Sequence, residues 1–193
     1  AQSFDTQIVC HDEDDVRTQP GTVRRGRLLS CYGSRRGNDH KSGETLTYWR
    51  KFHRVRHEDL TALSAGDAEF DIAITQDVFE HVPDYRRAFA ELARVLSAQG
   101  TLVFTIPFFA ELAETRVRAT VGAEGVKHLL PPEIHGNPVS SEGSLCFQNF
   151  GWDILDDLRG AGFADAFAAL YWGPWQGHLG FPFFVFSASK DKR

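Results

Sequence analysis

The chain has 193 residues, a length that suits one domain around one core. Hydrophobic residues make up 42% and charged residues 24%, a balance that excludes a disordered chain. The net charge of -5 argues against a dedicated nucleic-acid binder.

The charge is unevenly spread. Ten arginines and lysines fall between Arg24 and Arg56, against only Asp39 and Glu44. A solvated face explains such a stretch, and contact with phosphate is the sharper alternative. The three cysteines, Cys10, Cys31 and Cys146, are odd in number and widely spaced, so neither a disulfide framework nor a zinc-ligand spacing is indicated. A reducing, cytoplasmic setting is expected. No apolar run reaches the roughly 18 residues of a membrane span, and no secretory signal is evident. The chain opens at Ala1 and holds no Met, so a trimmed or internal start is expected.

Residues 1–20 are polar and acidic, with one short strand expected at Gln7–Cys10. Residues 21–57 mix glycines with arginines, and Leu28–Tyr32 reads as a further short strand. From Glu58 onward the pattern sharpens. Phe70–Thr75 is an apolar, β-branched run of the kind found in buried parallel strands. Pro83 and Asp84 signal a helix start, and Tyr85, Ala88, Phe89, Leu92, Val95 and Leu96 recur at helical spacing. Arg87 and Glu91 lie one turn apart on the polar face, and Gly100 is the expected stop. Thr101–Ile106 is a second buried-type strand, ended by Pro107. Strand, helix and strand make a βαβ unit with a right-handed crossover. Residues 108–150 read as irregular, with a lid or substrate role. A short helix is expected at Trp152–Ala161, then strands at Phe163–Trp172 and Phe181–Ala188. The aromatic tail containing Trp172, Trp175, Phe181, Phe183, Phe184 and Phe186 reads as a buried sheet edge that offers a dimer contact.

The run Phe70-Asp71-Ile72-Ala73-Ile74-Thr75-Gln76-Asp77-Val78-Phe79-Glu80-His81-Val82-Pro83-Asp84, followed by Glu91-Leu92-Ala93-Arg94-Val95-Leu96, resembles the central signature of class I S-adenosylmethionine-dependent methyltransferases of the type 11 kind. Glu58-Asp59-Leu60 is similar to the segment after their third strand, which flanks adenine. The tail from His128 through Asn137 to Trp152 is similar to a bacterial subgroup of the same family. The resemblance covers about residues 56–188. It implies an α/β fold: a Rossmann-like, doubly wound, mostly parallel sheet with an antiparallel last strand. The whole of 1–193 is expected to form one such domain, with 1–57 divergent.

The resemblance also implies S-adenosyl-L-methionine as cofactor, held at Asp59, Leu60, Gln76, Asp77 and Val78. The glycine-rich loop that should follow the first strand is represented only by Gly33 and Gly37, set among arginines. No acid convincingly ends a second strand to hold the ribose hydroxyls; Glu44 is a weak stand-in. This leaves the cofactor half either remodelled or incomplete. His81, His128 and His135 are the candidate bases for a hydroxyl or amine acceptor, and Phe108 and Phe109 are candidates for an apolar substrate wall. Asp77, Glu80 and His81 are similar to the metal-binding arrangement of quinone-pathway and small-RNA methyltransferases. The same Glu-His-Val also occurs in relatives without metal, so no metal ligand is assigned. The expected activity is methyl transfer to oxygen or nitrogen of a small molecule. The alternative is a non-catalytic binding domain that has lost the cofactor loop. A small-molecule partner is expected, with a homodimer as a further option, and neither a membrane nor a nucleic acid.

Overall fold

A computed structural model describes residues 7–13, 27–34, 54–137 and 140–191. The basic stretch, apart from residues at its edges, and the candidate Gly37 fall outside these.

One seven-stranded sheet forms the centre. Its strands are β1 (Gln7–Glu13), β2 (Leu28–Ser34), β3 (Arg54–Glu58), β4 (Phe70–Gln76), β5 (Leu96–Thr105), β12 (Asp165–Tyr171) and β13 (Phe183–Ser189), in the order β12-β13-β5-β4-β2-β1-β3. β2, β4 and β5 pair in parallel, whereas β13 runs antiparallel to β5 and β1 antiparallel to β2. β12 and β3 reverse again, so five of the seven strands share one direction and only β1 and β13 oppose it. The chain thus has the α/β, Rossmann-like sheet expected of it, with an antiparallel last strand.

The two strands of the βαβ unit are neighbours. Ile72 pairs with Thr101 and Gln76 with Thr105. One face of the pair is covered, burying Ala73 and Thr75 of β4 and Leu102 and Phe104 of β5, whereas Ile74 on the other face is 39% exposed, so the expectation of strands buried on both sides holds for one side alone. The intervening helix, α1 (Tyr85–Val95), starts where Asp84 accepts a hydrogen bond from the Arg87 N–H at 3.1 Å. Its apolar stripe, Tyr85, Ala88, Phe89, Leu92 and Val95, is buried against the sheet.

The helix stops earlier than Gly100. Val95 is its last residue, and Leu96 already has extended backbone and pairs with Phe70. Between Leu96 and Thr101 the chain spends five steps where β4 spends two, so Ser97–Gly100 bulge out of register. Gly100 is needed for that close return, because a Cβ there would stand 2.8 Å from Leu96 Cβ and 2.9 Å from Ser97 O.

The polar face of α1 grips the connection between β3 and β4. Arg94 donates to the carbonyls of Leu63 and Ala65 at 3.0 and 2.9 Å and to Asp67 at 2.8 Å, while Glu91 accepts from the Leu63 N–H at 3.0 Å. Arg87 donates to Thr61 O at 2.8 Å. Arg94→Met strands two carbonyls and is expected to lower stability by about 2 kcal/mol, read by urea unfolding.

Residues 108–150 are more ordered than expected. They hold three two-stranded ladders: β6 (Arg116–Val117) with β11 (Gln148–Asn149), β7 (Ala119–Gly122) with β8 (Gly125–His128), and β9 (Ile134–Asn137) with β10 (Ser140–Leu145). Strands this short, punctuated by Gly and Pro, give too few residues for an alternation to show. The helix α2 (Ile154–Gly160) and strands β12 and β13 lie within a few residues of expectation.

The aromatic tail is a further correction. Phe186 is fully buried, but Trp175 and Phe181 are 94% and 93% exposed and Trp172 is 59% exposed. They belong to the connection between β12 and β13 rather than to the sheet itself, so density of aromatic residues misled about burial.

Candidate active site

Strand registers decide which residues meet at the crevice. Across the centre, Tyr32 of β2, Gln76 of β4 and Thr105 of β5 stand level. Further out, Gly33 is level with Ile8, and Ile8 with Glu58. The carboxyl ends of β2, β3, β4 and β5 therefore open along one edge, where ligands bind in open α/β sheets.

The antiparallel β1 changes what reaches that edge. It precedes β2 in sequence and needs no crossover helix to lie beside it. Its acidic end, Asp12 and Glu13, pairs with Leu29 and Leu28 at the amino end of β2, away from the crevice.

Asp59 follows β3 directly and is exposed. Its Oδ1 accepts from the Thr61 N–H and hydroxyl, each at 2.8 Å, which closes a tight turn. Leu60 is buried in the core at 1% exposure. Gln76 ends β4 and is exposed. Asp77 takes φ +49°, a left-handed conformation uncommon outside glycine and tolerated best by Asn and Asp. Two bonds hold it there: its N–H donates to Thr105 O at 3.0 Å, and its Oδ1 accepts from the Thr105 hydroxyl at 3.1 Å. Val78 is buried and precedes a 3-10 turn, Phe79–His81.

A cavity of about 430 Å³ lies at the ends of β4 and β5. Gln76, Asp77 and Thr105 give it a polar side, and Phe108, Pro182, Phe183 and Phe184 an aromatic wall. Of the expected apolar pair Phe108 and Phe109, Phe108 lines this cavity, and Phe183 and Phe184, expected in a buried sheet edge, line it too. Their place at the start of an antiparallel strand beside β5, level with the crevice, was the signal available.

The three histidines separate. His128 ends the exposed strand β8. His81 and His135 meet edge to face with ring centroids 5.3 Å apart. Between them lies Glu80, 1% exposed, with neither carboxylate oxygen accepting a hydrogen bond. Burial, reinforced by the charge of Asp77, pushes its carboxyl up to about 8. Residues 145–148 pack over this turn. Gln148, itself buried, donates to Phe79 O at 2.5 Å and to Val82 O at 2.9 Å, and the Phe147 N–H donates to Glu80 O at 2.7 Å. Sequence reasoning missed Gln148 and Glu133, which no local motif marks.

The sheet defines a Rossmann-like α/β domain. Residues 34–104 match the methyltransferase domain family model. Over 96 residues the chain is 32% identical to the ubiquinone biosynthesis O-methyltransferase of Thiobacillus denitrificans, spanning 50% of this chain but only 38% of that relative's length. Among solved structures it is similar to an S-adenosylmethionine-dependent methyltransferase from Mesorhizobium loti, at 21% identity and TM-score 0.45 over 68% of this chain and 67% of that one. It is also similar to the 1,6-didemethyltoxoflavin-N1-methyltransferase of Burkholderia thailandensis, at 20% identity and TM-score 0.39 over 69% and 48% of the two chains. Over residues 34–104 and through its central signature, the chain is similar to the class I S-adenosylmethionine-dependent methyltransferases.

Among the described residues no helix is long and apolar enough to cross a membrane.

Proposed function

We propose that the chain transfers a methyl group from S-adenosyl-L-methionine to an oxygen or nitrogen of a small molecule that carries an apolar or aromatic body. The observation that carries this reading is the cavity at the ends of β4 and β5, with its polar rim beside an aromatic wall. A flat apolar acceptor packs on Phe108, Phe183 and Phe184 while its polar group turns toward Gln76, Asp77 and Thr105.

The cofactor supplies a methyl already activated on sulfonium, so the protein's part is alignment and exclusion of water. Gly33, at the end of β2, leaves room for close backbone approach, and Gly37 is proposed for the same role. Asp59 lies where it can accept from a nucleoside, and the buried Leu60 and Val78 support the two turns beneath. Gln76 and the strained Asp77 offer polar contacts at the switch from β4. A hydroxyl or amine acceptor must also lose a proton. His81, His128 and His135 are the proposed candidates to take it, the first and last each having one ring nitrogen already engaged. Cys146, buried and donating its thiol proton to Gln148 O, suits a reducing, cytoplasmic setting.

Calorimetry with S-adenosylhomocysteine tests this on the folded chain. Saturable binding in the range of about 1 μM to 1 mM is expected. Asp77→Asn tolerates the left-handed backbone while removing the charge, and is expected to weaken binding about tenfold, the effect of one charge-assisted contact. A folded chain that binds neither S-adenosylhomocysteine nor S-adenosylmethionine at millimolar concentration overturns the reading.

A further inference from the structure

We propose that the edge strand β12 pairs antiparallel with β12 of a second copy of this chain, about a two-fold axis at Ala169, with the aromatic connection after β12 packed over that partner. The two sheets then become one. The proposal does not depend on cofactor binding.

The two edges of the sheet differ in sequence. β3, at one end, reads Arg-Val-Arg-His-Glu, and charges of this kind discourage an edge from pairing with another chain. β12, at the other end, reads Asp-Ala-Phe-Ala-Ala-Leu-Tyr, without Lys, Arg or Pro. It carries no bulge either, because its register with β13 runs unbroken from Asp165 opposite Ser189 to Tyr171 opposite Phe183. Among the described residues no strand lies on its outer side. A flat, apolar edge without these protections is a template for a further strand. From Ala166 to Ser189 the chain holds no Asp, Glu, Lys or Arg, so the patch meets its own copy without like charges.

One hydrogen bond sets the register. Arg159 donates to the Ala166 carbonyl at 3.0 Å from outside the ladder. Residues of an antiparallel strand alternate between facing their neighbour and facing away. Ala168 and Leu170 therefore turn their backbone groups to the open side as Ala166 does. Setting Ala168 opposite the partner's Leu170, and Leu170 opposite the partner's Ala168, satisfies the N–H and C=O of both residues and leaves the Ala166 carbonyl to Arg159. The axis then passes between the two Ala169 residues. Phe167 falls opposite the partner's Tyr171, an aromatic cross-strand pair. Asp165 falls opposite the partner's Gly173, away from its own copy.

The connection adds the area that one strand pair lacks. The exposed parts of Phe167, Tyr171, Trp172, Trp175 and Phe181, at about 150–250 Å² for each ring, come to roughly 700 Å² per copy. A stable interface takes about 800 Å² from each partner, and the exposed Leu170 and Leu179 supply the remainder. These rings are held in place before any partner arrives. Trp172 Nε1–H donates to Gly180 O at 3.2 Å, the His178 ring stands 5.0 Å from Phe183, and Gly177 closes the 3-10 turn Pro174–Gln176 with φ +84°. A fixed apolar surface loses little freedom on association.

Sedimentation of the whole chain is expected to show a dimer at about 10 μM. Leu170→Lys puts a charge at an exposed place on the pairing edge, and Trp175→Ser removes an exposed ring. Each is expected to weaken association at least tenfold, while Val121→Lys, exposed on β8, leaves it unchanged. Cross-linking checks the register. The Ala169 Cα atoms of the two copies should stand about 4.5 Å apart, within reach of a disulfide, whereas those of Phe167 should stand about 13 Å apart. Mild oxidation with diamide is therefore expected to give a covalent dimer with Ala169→Cys and not with Phe167→Cys or the unsubstituted chain. Circular dichroism on each variant separates misfolding from loss of pairing. Four results each overturn the proposal: a chain still monomeric at about 100 μM, a monomer that instead sediments with phosphatidylcholine vesicles, a dimer that Leu170→Lys and Trp175→Ser leave intact, or cross-linking no better with Ala169→Cys than with Phe167→Cys.

Discussion

Phe104→Ala is expected to cost about 3–5 kcal/mol, the range for emptying a buried phenylalanine site. Phe104 is 1% exposed near the carboxyl end of β5, level with Thr75 of β4. Its ring stands edge-on to Phe79 at 5.2 Å and stacks with Phe186 at 5.1 Å, with Phe89 at 5.9 Å. These neighbours come from the 3-10 turn, from β13 and from α1, so no single element can move in to fill the gap. A domain with a total of about 5–15 kcal/mol would lose a large fraction of its stability. For a chain of this length the melting temperature should fall by about 6–20 °C. Phe104→Leu keeps most of the volume and should cost under half as much. Calorimetric or urea unfolding of the two variants checks both the size and the ratio. Equal, small losses would mean that the aromatic cluster is not the centre of the core.

The βαβ unit was legible because two periodicities stood side by side. Phe70–Thr75 offers a short apolar, β-branched run interrupted only by Asp71, and the next segment repeats at helical spacing from Tyr85 to Val95. The core lies between these elements, so reading them gave Phe70, Ala88, Phe89 and Leu92 as buried. Gln76 and Asp77 were legible for the same reason: the residues after a buried strand stand at the crevice edge. The antiparallel β1 was not. Its strand was visible at Gln7–Cys10, but direction depends on the partner and on the connection, neither of which a local pattern encodes. The pairing of His81 with His135 across 54 positions was equally hidden. It is made by the hydrogen bonds of Gln148 and Phe147 back to the turn, and a polar residue in a short ladder carries no periodic signal.

Gln148→Glu should rank with Phe104→Ala in severity, at about 3–5 kcal/mol near neutral pH. The Gln148 amide, 2% exposed, points both its N–H donors at carbonyl oxygens of Phe79 and Val82. A carboxylate in the same shape turns two attractions into two repulsions and adds a buried charge with no cation opposite it. Gln148→Leu removes the donors without adding charge. It should cost about 2–3 kcal/mol, because Phe79 O still accepts from the Val82 N–H while Val82 O loses the amide. The difference between the two variants should shrink in acid, where a glutamic acid at that position takes a proton and can donate to one carbonyl. Both should also loosen the turn that carries Glu80 and His81, because residues 145–148 would then be held there mainly by the Phe147 N–H on Glu80 O and by the His81 ring on Leu145 O. Urea unfolding of the two variants at pH 5 and pH 8 is the check. A Gln148→Leu variant more damaging than Gln148→Glu at both pH values would show that shape, not hydrogen bonding, holds this segment on the turn.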